Sequence, residues 1–360
     1  MNPTLAIDLH AIIHNFQSIV KAAGLPRAAC VVKDNAYGLG AVPITQALHG
    51  AGCRHFFVAY PQEGFEIRPV APDAAIYVLQ GFDPADADLF KQAGLIPVLA
   101  SPEQLKAWER LSLHRLKPAI QVETGLNRLG FSFDEAAALT DKQRQQFGLV
   151  LSHLACAHDS THPMNKRQRD ALIRMKPLFG GTPFSLSASD GFYLGADFHF
   201  DLVRIGASLY GLNPVCNRPK ENKNVITVTA PVIHCHTIQA GESVGYSLTF
   251  TARRETKIAT VSIGYGDGIF RSFAPRGKVF FDINGRRYAA PVAGRVSMDN
   301  ITVDVTDIPA DVLGRQAIII DALYDCDAIA DDMGTIGYEV LNAVGHGIRY
   351  RREWLPVISK

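Results

Sequence analysis

What this chain has little of narrows its nature first. Its six cysteines, Cys30, Cys53, Cys156, Cys216, Cys235 and Cys326, are scattered over 360 residues with no C-x-x-C pair. Neither a disulfide framework nor a thiolate zinc site is indicated. No run approaches the roughly 18 apolar residues of a membrane span. The N-terminal MNPTLAIDLH has no basic segment and no long apolar one, so no secretion signal is expected. Neither charge is in excess: Lys+Arg number 36 and Asp+Glu 35, so no overall field argues for nucleic acid or an anionic membrane. No G-x-G-x-x-G follows a strand-like run, which weighs against a dinucleotide fold. We expect a soluble protein of the reducing cytoplasm.

What is present is a repeating texture. Unbroken apolar runs at 28–33, 55–60, 76–81, 96–101, 118–124, 147–154, 184–189 and 202–207 read as strands buried on both faces. Helix-like stretches separate them, including AVPITQALHGAG, PADADLFKQAG, SPEQLKAWERL and DEAAALTDKQRQQ. Ser101, Pro102 and Gln104 make a good helix start. About eight such repeats point to a closed (β/α)8 barrel of TIM type rather than an open sheet. After the connector 213–224 the runs become short, β-branched and separated by Gly, Asn and Asp, which is all-β texture. Helix returns over 329–345. The expected domains are a barrel over 1–222 and a mainly β domain over 223–360.

Active sites of such barrels lie at the C-terminal ends of the strands. Lys33, in VVKDNAYGLG, ends the first run. Glu123 and Arg128 follow the fifth, His153 ends the sixth, Ser189 the seventh and Arg204 the eighth. Each alone reads as a loop or surface residue; together they converge on one mouth. Gly206 and Ala207 can present bare N–H groups there, and barrels often bind phosphate after strands seven and eight. A phosphate site with a strand-end lysine suits a phosphorylated aldehyde cofactor held as a Schiff base. It equally suits a phosphosugar isomerase or aldolase, and spacing leaves both open.

The assembled motifs resemble the alanine racemase family, enzymes dependent on pyridoxal 5′-phosphate (PLP). VVKDNAYGLG, ETGLNRLG, SHLA, SASDG, VRIGASLYG, VGYSLTF, IGYGDG, GRVSMDN and GYEVLNAVG stand in the family's order over nearly the whole chain. The resemblance implies a (β/α)8 barrel followed by a mainly β domain. It implies that Lys33 holds PLP and acts as one acid–base group, with Tyr246 of the second subunit in a head-to-tail homodimer as the other. It assigns Tyr37, Ser189, Gly206, Ala207 and Tyr338 to the phosphate, Arg204 to the pyridine nitrogen and His153 to the ring. Arg128 and the Met298 N–H go to the substrate carboxylate, and Tyr265 and Arg271 to the entrance. The implied activity interconverts L- and D-alanine, for peptidoglycan or for alanine catabolism. A racemase for serine or larger amino acids, or a non-catalytic PLP-binding barrel, are the alternatives.

The chain also departs from the family. Gln121 stands where many members carry a carbamylated lysine. It can hydrogen-bond a guanidinium through its amide oxygen but cannot carry the carbamate charge. Arg128 is therefore expected to be oriented without carbon dioxide chemistry, with an anion such as chloride supplying the missing charge. Leu39 replaces a usual histidine, His158 a common acidic residue, and GHGIRYRREW lacks the frequent Arg-Val-Pro-Arg pattern. His234 and His236 share a strand face, but no third ligand is apparent, so no metal site is expected.

Overall fold

The computed structural model describes residues 2–24, 28–111, 116–215 and 220–356; Cys216 and the middle of the 213–224 connector lie outside them. The chain forms two compact units, one of 12–36 and 40–222, the other of 1–11, 37–39 and 223–360.

The chain begins with β1 (Thr4–Asp8), which belongs to the second unit. The first unit holds eight parallel strands: β2 (Ala28–Val31), β3 (His55–Val58), β4 (Ala75–Val78), β5 (Ile96–Leu99), β6 (Ala119–Gln121), β7 (Leu149–Leu151), β8 (Phe184–Ser185) and β9 (Val203–Ile205). Their order is β8-β7-β6-β5-β4-β3-β2-β9, so the last strand returns beside the first. The seam is bridged where the Asp201 N–H donates to the Phe184 carbonyl at 2.9 Å and the Arg204 N–H to that of Ser187 at 3.0 Å. The eight apolar runs thus form a nearly closed barrel of TIM type. Both faces of these strands are covered, which is why their sequences do not alternate.

Local chemistry sets the helix starts. Ser101 Oγ accepts the Gln104 N–H at 3.3 Å, opening the helix Pro102–Glu109. The stretch 134–146 divides at Leu139–Thr140 into the helices Phe133–Ala138 and Asp141–Gln145. Thr140 and Gln143 cap each other there, at 3.2 and 3.1 Å, so a capping box inside an apparently continuous pattern starts a new helix.

The second unit is mainly β. Its strands are β10 (Ile226–Ile238), β11 (Ser243–Val244), β12 (Phe250–Thr251), β13 (Thr256–Val261), β14 (Lys278–Ile283), β15 (Arg286–Pro291), β16 (Ile301–Asp304), β17 (Gln316–Ile320) and β18 (Arg351–Leu355). The main sheet runs β15-β14-β17-β10-β1-β18, and β13 joins β10 to β16. β1 pairs antiparallel with β10 and parallel with β18, so the first residues lie in this sheet rather than with the barrel. TLAID alternates buried Leu5 and Ile7 with half-buried neighbours, the pattern of a strand covered mainly on one face. Helix in 329–345 is resolved into Cys326–Met333 and Gly337–Gly345. Gly334, at φ 72°, ends the first in the left-handed conformation favoured by glycine.

Candidate active site

Lys33 follows the end of β2 and begins an unusual turn. Asp34, Asn35, Ala36 and Tyr37 have φ of 56°, 52°, 54° and 55°, a left-handed helical turn without a glycine. Each such residue costs about 1–2 kcal/mol, so the segment needs external restraint. The Ala36 N–H donates to the Val32 carbonyl and the Gly40 N–H to that of Asn35, both at 2.9 Å. The Asn35 side chain takes the Ala41 N–H at 2.8 Å. The Lys33 amine loses proton affinity, first because burial penalises its charge and second because of Arg128; Glu63 and Asp34 oppose this.

Arg204, buried in β9, forms the floor of the barrel mouth. One terminal nitrogen donates to Ser185 Oγ at 2.6 Å. The other reaches the carbonyls of Ser152 at 2.6 Å and Leu186 at 3.2 Å, and lies 3.3 Å from His153 Nδ1. Burial lowers the arginine's pKa to about 10, which leaves it charged at neutral pH. Burial, then the charges of Arg204, Arg128 and Lys33, push His153 down to about 3. His153 is therefore neutral, with Nδ1 as acceptor and the proton on Nε2. Gln168, in the helix Pro163–Phe179, fixes this region by donating to the His153 carbonyl at 2.9 Å and accepting the Ala155 N–H at 2.8 Å.

The loops after β8 and β9 meet at Ser189. Its Oγ accepts the N–H groups of Gly206 at 2.9 Å and Ser208 at 3.2 Å. The Ser208 hydroxyl is buried without a partner among the described residues. Ala207 is buried beside them. This concentration of N–H and O–H donors, one of them unsatisfied, suits a phosphate monoester.

Arg128 is exposed, on the loop after β6. Gln121 holds the residue after Arg128: its Nε2 donates to the Leu129 carbonyl at 3.0 Å. Glu123 accepts the N–H groups of Gly125 and, at 2.8 Å, Asn127. The loop is thus held on both sides of the arginine. Leu39 is buried, and its carbonyl accepts the Trp354 Nε1–H at 2.9 Å. His158 is exposed.

The other expected residues lie in the β unit. Tyr37 and Tyr338 are neighbours, ring centroids 6.4 Å apart. Beneath them Gly38 and Gly345 touch backbone to backbone; a Cβ on Gly38 would lie 2.4 Å from the Gly345 carbonyl carbon. Arg352 clasps this contact, donating to the carbonyls of Gly38 at 2.5 Å, Gly345, and Gly347 at 3.2 Å. Tyr246 stands on the β11–β12 hairpin and is 71% exposed. It borders a cavity of about 210 Å³ shared with Arg295, Ser297, Asn300 and Thr302. Arg271 and Arg295 line a second cavity of about 490 Å³. The Tyr265 and Met298 loops are laced together: the Tyr265 N–H donates to Ser297 at 3.0 Å and the Gly266 N–H to Met298 at 2.9 Å. Arg349 grips Asp267 at 2.7 Å through two nitrogens and also reaches Asp299 and the Met298 carbonyl.

Sequence reading passed over Glu63, Gln168, Arg295, Arg349 and Arg352. Arg349 and Arg352 lie in the segment that departs from the family pattern, yet they organise loops bearing expected site residues. Arg295 stands three residues before Met298 in GRVSMDN. Only Glu63 carried a local signal, at the third helical position after Tyr60 and Pro61.

A parallel barrel with an amine, a neutral imidazole, a buried guanidinium and a phosphate-type cradle at one end, in a chain with a mainly β second unit, defines a class of barrel enzymes acting on or through a phosphorylated carbonyl compound. Comparison makes the class specific. Residues 7–214 match the family model "Alanine racemase, N-terminal domain", and 225–354 match "Alanine racemase, C-terminal domain". The alanine racemase of Rickettsia akari (strain Hartford) is 41% identical, the match covering 98% of this chain and 99% of that one. The alanine racemase from Bartonella henselae with covalently bound pyridoxal phosphate is 36% identical at a TM-score of 0.90, over 99% of this chain and 100% of that one. The biosynthetic alanine racemase from Pseudomonas aeruginosa is 33% identical at 0.91, over 99% of both. This chain belongs to the alanine racemase family; it is an enzyme, an isomerase of amino acids. Among the described residues no helix is long and apolar enough to cross a membrane.

Proposed function

We propose that this enzyme interconverts L- and D-alanine with PLP, using Lys33 and, from a second copy in a head-to-tail dimer, Tyr246 as the two bases. The observation that carries the reading is the Lys33 amine, partly desolvated and within reach of the charges of Arg128 and His153, the latter 3.3 Å from Arg204, at the barrel's C-terminal mouth. Bound PLP would supply an electron sink that acidifies the substrate Cα–H. Ser189, Gly206, Ala207 and Ser208 would take the phosphate, and on family resemblance Tyr37 and Tyr338 would join them. Arg204 stays protonated, so it would donate to the pyridine nitrogen without giving up its proton. His153, neutral, would pack against the ring. Arg128 and the Met298 N–H orient the carboxylate, while Tyr265 and Arg271 control entry.

Two bases on opposite faces allow inversion: one removes the Cα proton and the other delivers a proton from the far side. An amine depressed from its ordinary range is better placed to work near neutral pH. The test is racemisation by the purified protein with PLP across a panel of amino acids, with deuterium exchange at Cα of both alanine enantiomers. Alanine should react best, and Lys33→Ala should abolish both exchange and the visible absorption of bound PLP. Better turnover of serine or larger amino acids would make this a broader racemase. Binding without exchange would make it a carrier.

A further inference from the structure

Glu63 lies outside every motif that resembles the family, and its carboxylate joins two elements of the barrel mouth. One oxygen accepts the N–H of Asp34, the residue after Lys33. The other accepts the N–H groups of Ala59 at 2.6 Å and Tyr60 at 3.1 Å, where the helix Pro61–Ile67 begins after β3. All three partners are backbone donors, so the carboxylate spans from a helix start to the first residue of the left-handed turn. That turn holds four successive residues in a conformation L-amino acids rarely adopt. Such strain persists only where the surroundings over-determine it. Its far end is held by Asn35, Gly40 and Ala41; its near end, next to the reactive amine, by Glu63. The charges acting on Lys33 are Arg128 from the loop after β6, His153 after β7 when protonated, Asp34 in its own turn and Glu63.

We infer that Glu63 is a positioning residue for Lys33: it aims the amine by holding the left-handed turn, and its negative charge offsets Arg128 across the mouth. This deepens the PLP reading and rests on it. The carboxylate does not touch the reacting atoms. Its effect passes through the backbone of Asp34 and through the local field.

Two variants of the PLP-loaded, full-length protein separate the two parts. In Glu63→Asp the charge remains and the shorter side chain still reaches the helix start, but it no longer spans to Asp34. Thermal stability should stay near that of the parent. PLP release after dilution, followed by decay of the visible band, should be at least about ten-fold faster, because misplacing a reacting group by about 1 Å can cost about 10²-fold. In Glu63→Gln the charge is lost, and one oxygen's contacts go with it because an amide nitrogen cannot accept from an N–H; the variant is therefore read against Glu63→Asp, which keeps the charge. The pH midpoint of the visible band of bound PLP should fall by about 1 unit, as expected when a nearby opposite charge is removed from a cationic site. A helix cap alone would lower the melting temperature and move neither readout. An unchanged release rate in the first variant, or an unchanged midpoint in the second, overturns the proposal. Parent protein that shows no visible band lost in Lys33→Ala would instead overturn the PLP reading itself.

Discussion

The two proposed bases sit in opposite kinds of surroundings. Lys33 is enclosed: a strained turn carries it, backbone hydrogen bonds hold that turn, and three other ionisable side chains set its charge. Tyr246 is on a two-stranded hairpin, 71% exposed, beside Leu248 at 65%. The hairpin presents a phenol and a leucine to solvent. The difference teaches that the two proposed bases are built differently within one chain: the lysine is held by its own unit, whereas the tyrosine is left to solvent.

Removing the phenolic oxygen is the severest test of that contrast. Tyr246→Phe should lower racemisation about 10²–10⁴-fold, the usual worth of a positioned acid–base group. Deuterium exchange at Cα should persist with one alanine enantiomer and vanish with the other, since Lys33 still serves its own face. The melting temperature should hardly move, because the side chain is exposed. Equal loss of exchange from both enantiomers would break the comparison, and so would full activity.

Much of this contrast was legible in the residues. The eight apolar runs announced a barrel because strands buried on both faces leave no alternation to obscure them. Lys33, His153, Ser189 and Arg204 could be placed at the mouth because position at a strand's end fixes position in a barrel. The placement of β1 was not legible: five residues carry no sign of which sheet they will join. The left-handed turn was equally hidden, since Asp, Asn, Ala and Tyr do not advertise positive φ as glycine does. Arg352 acts through backbone carbonyls, which leave no mark on the sequence, and the helix-start signal at Glu63 does not disclose its reach to Asp34. Gln121 shows the same limit. Its identity excluded a carbamate, but only the fold shows it holding the Leu129 carbonyl.

A second test asks whether the β unit is as finely built beneath Tyr37 and Tyr338 as the barrel is around Lys33. Gly38 has φ of 80°, and an added Cβ would lie 2.4 Å from backbone that cannot swing away. Gly38→Ala should therefore cost about 3 kcal/mol or more, from overpacking and backbone strain together. Gly24, at φ 58° with nothing near it, should lose far less on the same change. Denaturant titration of both variants checks the difference; equal midpoints would mean that the Gly38–Gly345 contact is not tight in solution.

A third test, comparable in size to the second, probes the enclosed end through pH. His153 titrates at about 3 in the folded protein, against an ordinary value of 6.5. Below pH 6.5 the unfolded chain takes up a proton that the folded chain refuses, so stability falls with falling pH, by the slope of a single proton. The slope ends near pH 3, where the folded protein binds the proton as well. Above pH 6.5 both states are neutral at this position and the contribution is flat. His153→Asn removes the titration while keeping a polar side chain near Arg204. The stability difference between the variant and the parent should therefore be constant above pH 7 and move in the variant's favour as pH drops towards 4. A difference constant over the whole range would mean that the folded protein accepts the proton readily. The desolvation and the three cations around His153 would then be too weak to govern a proton, and the enclosed end of the molecule would lose its distinction from the exposed one.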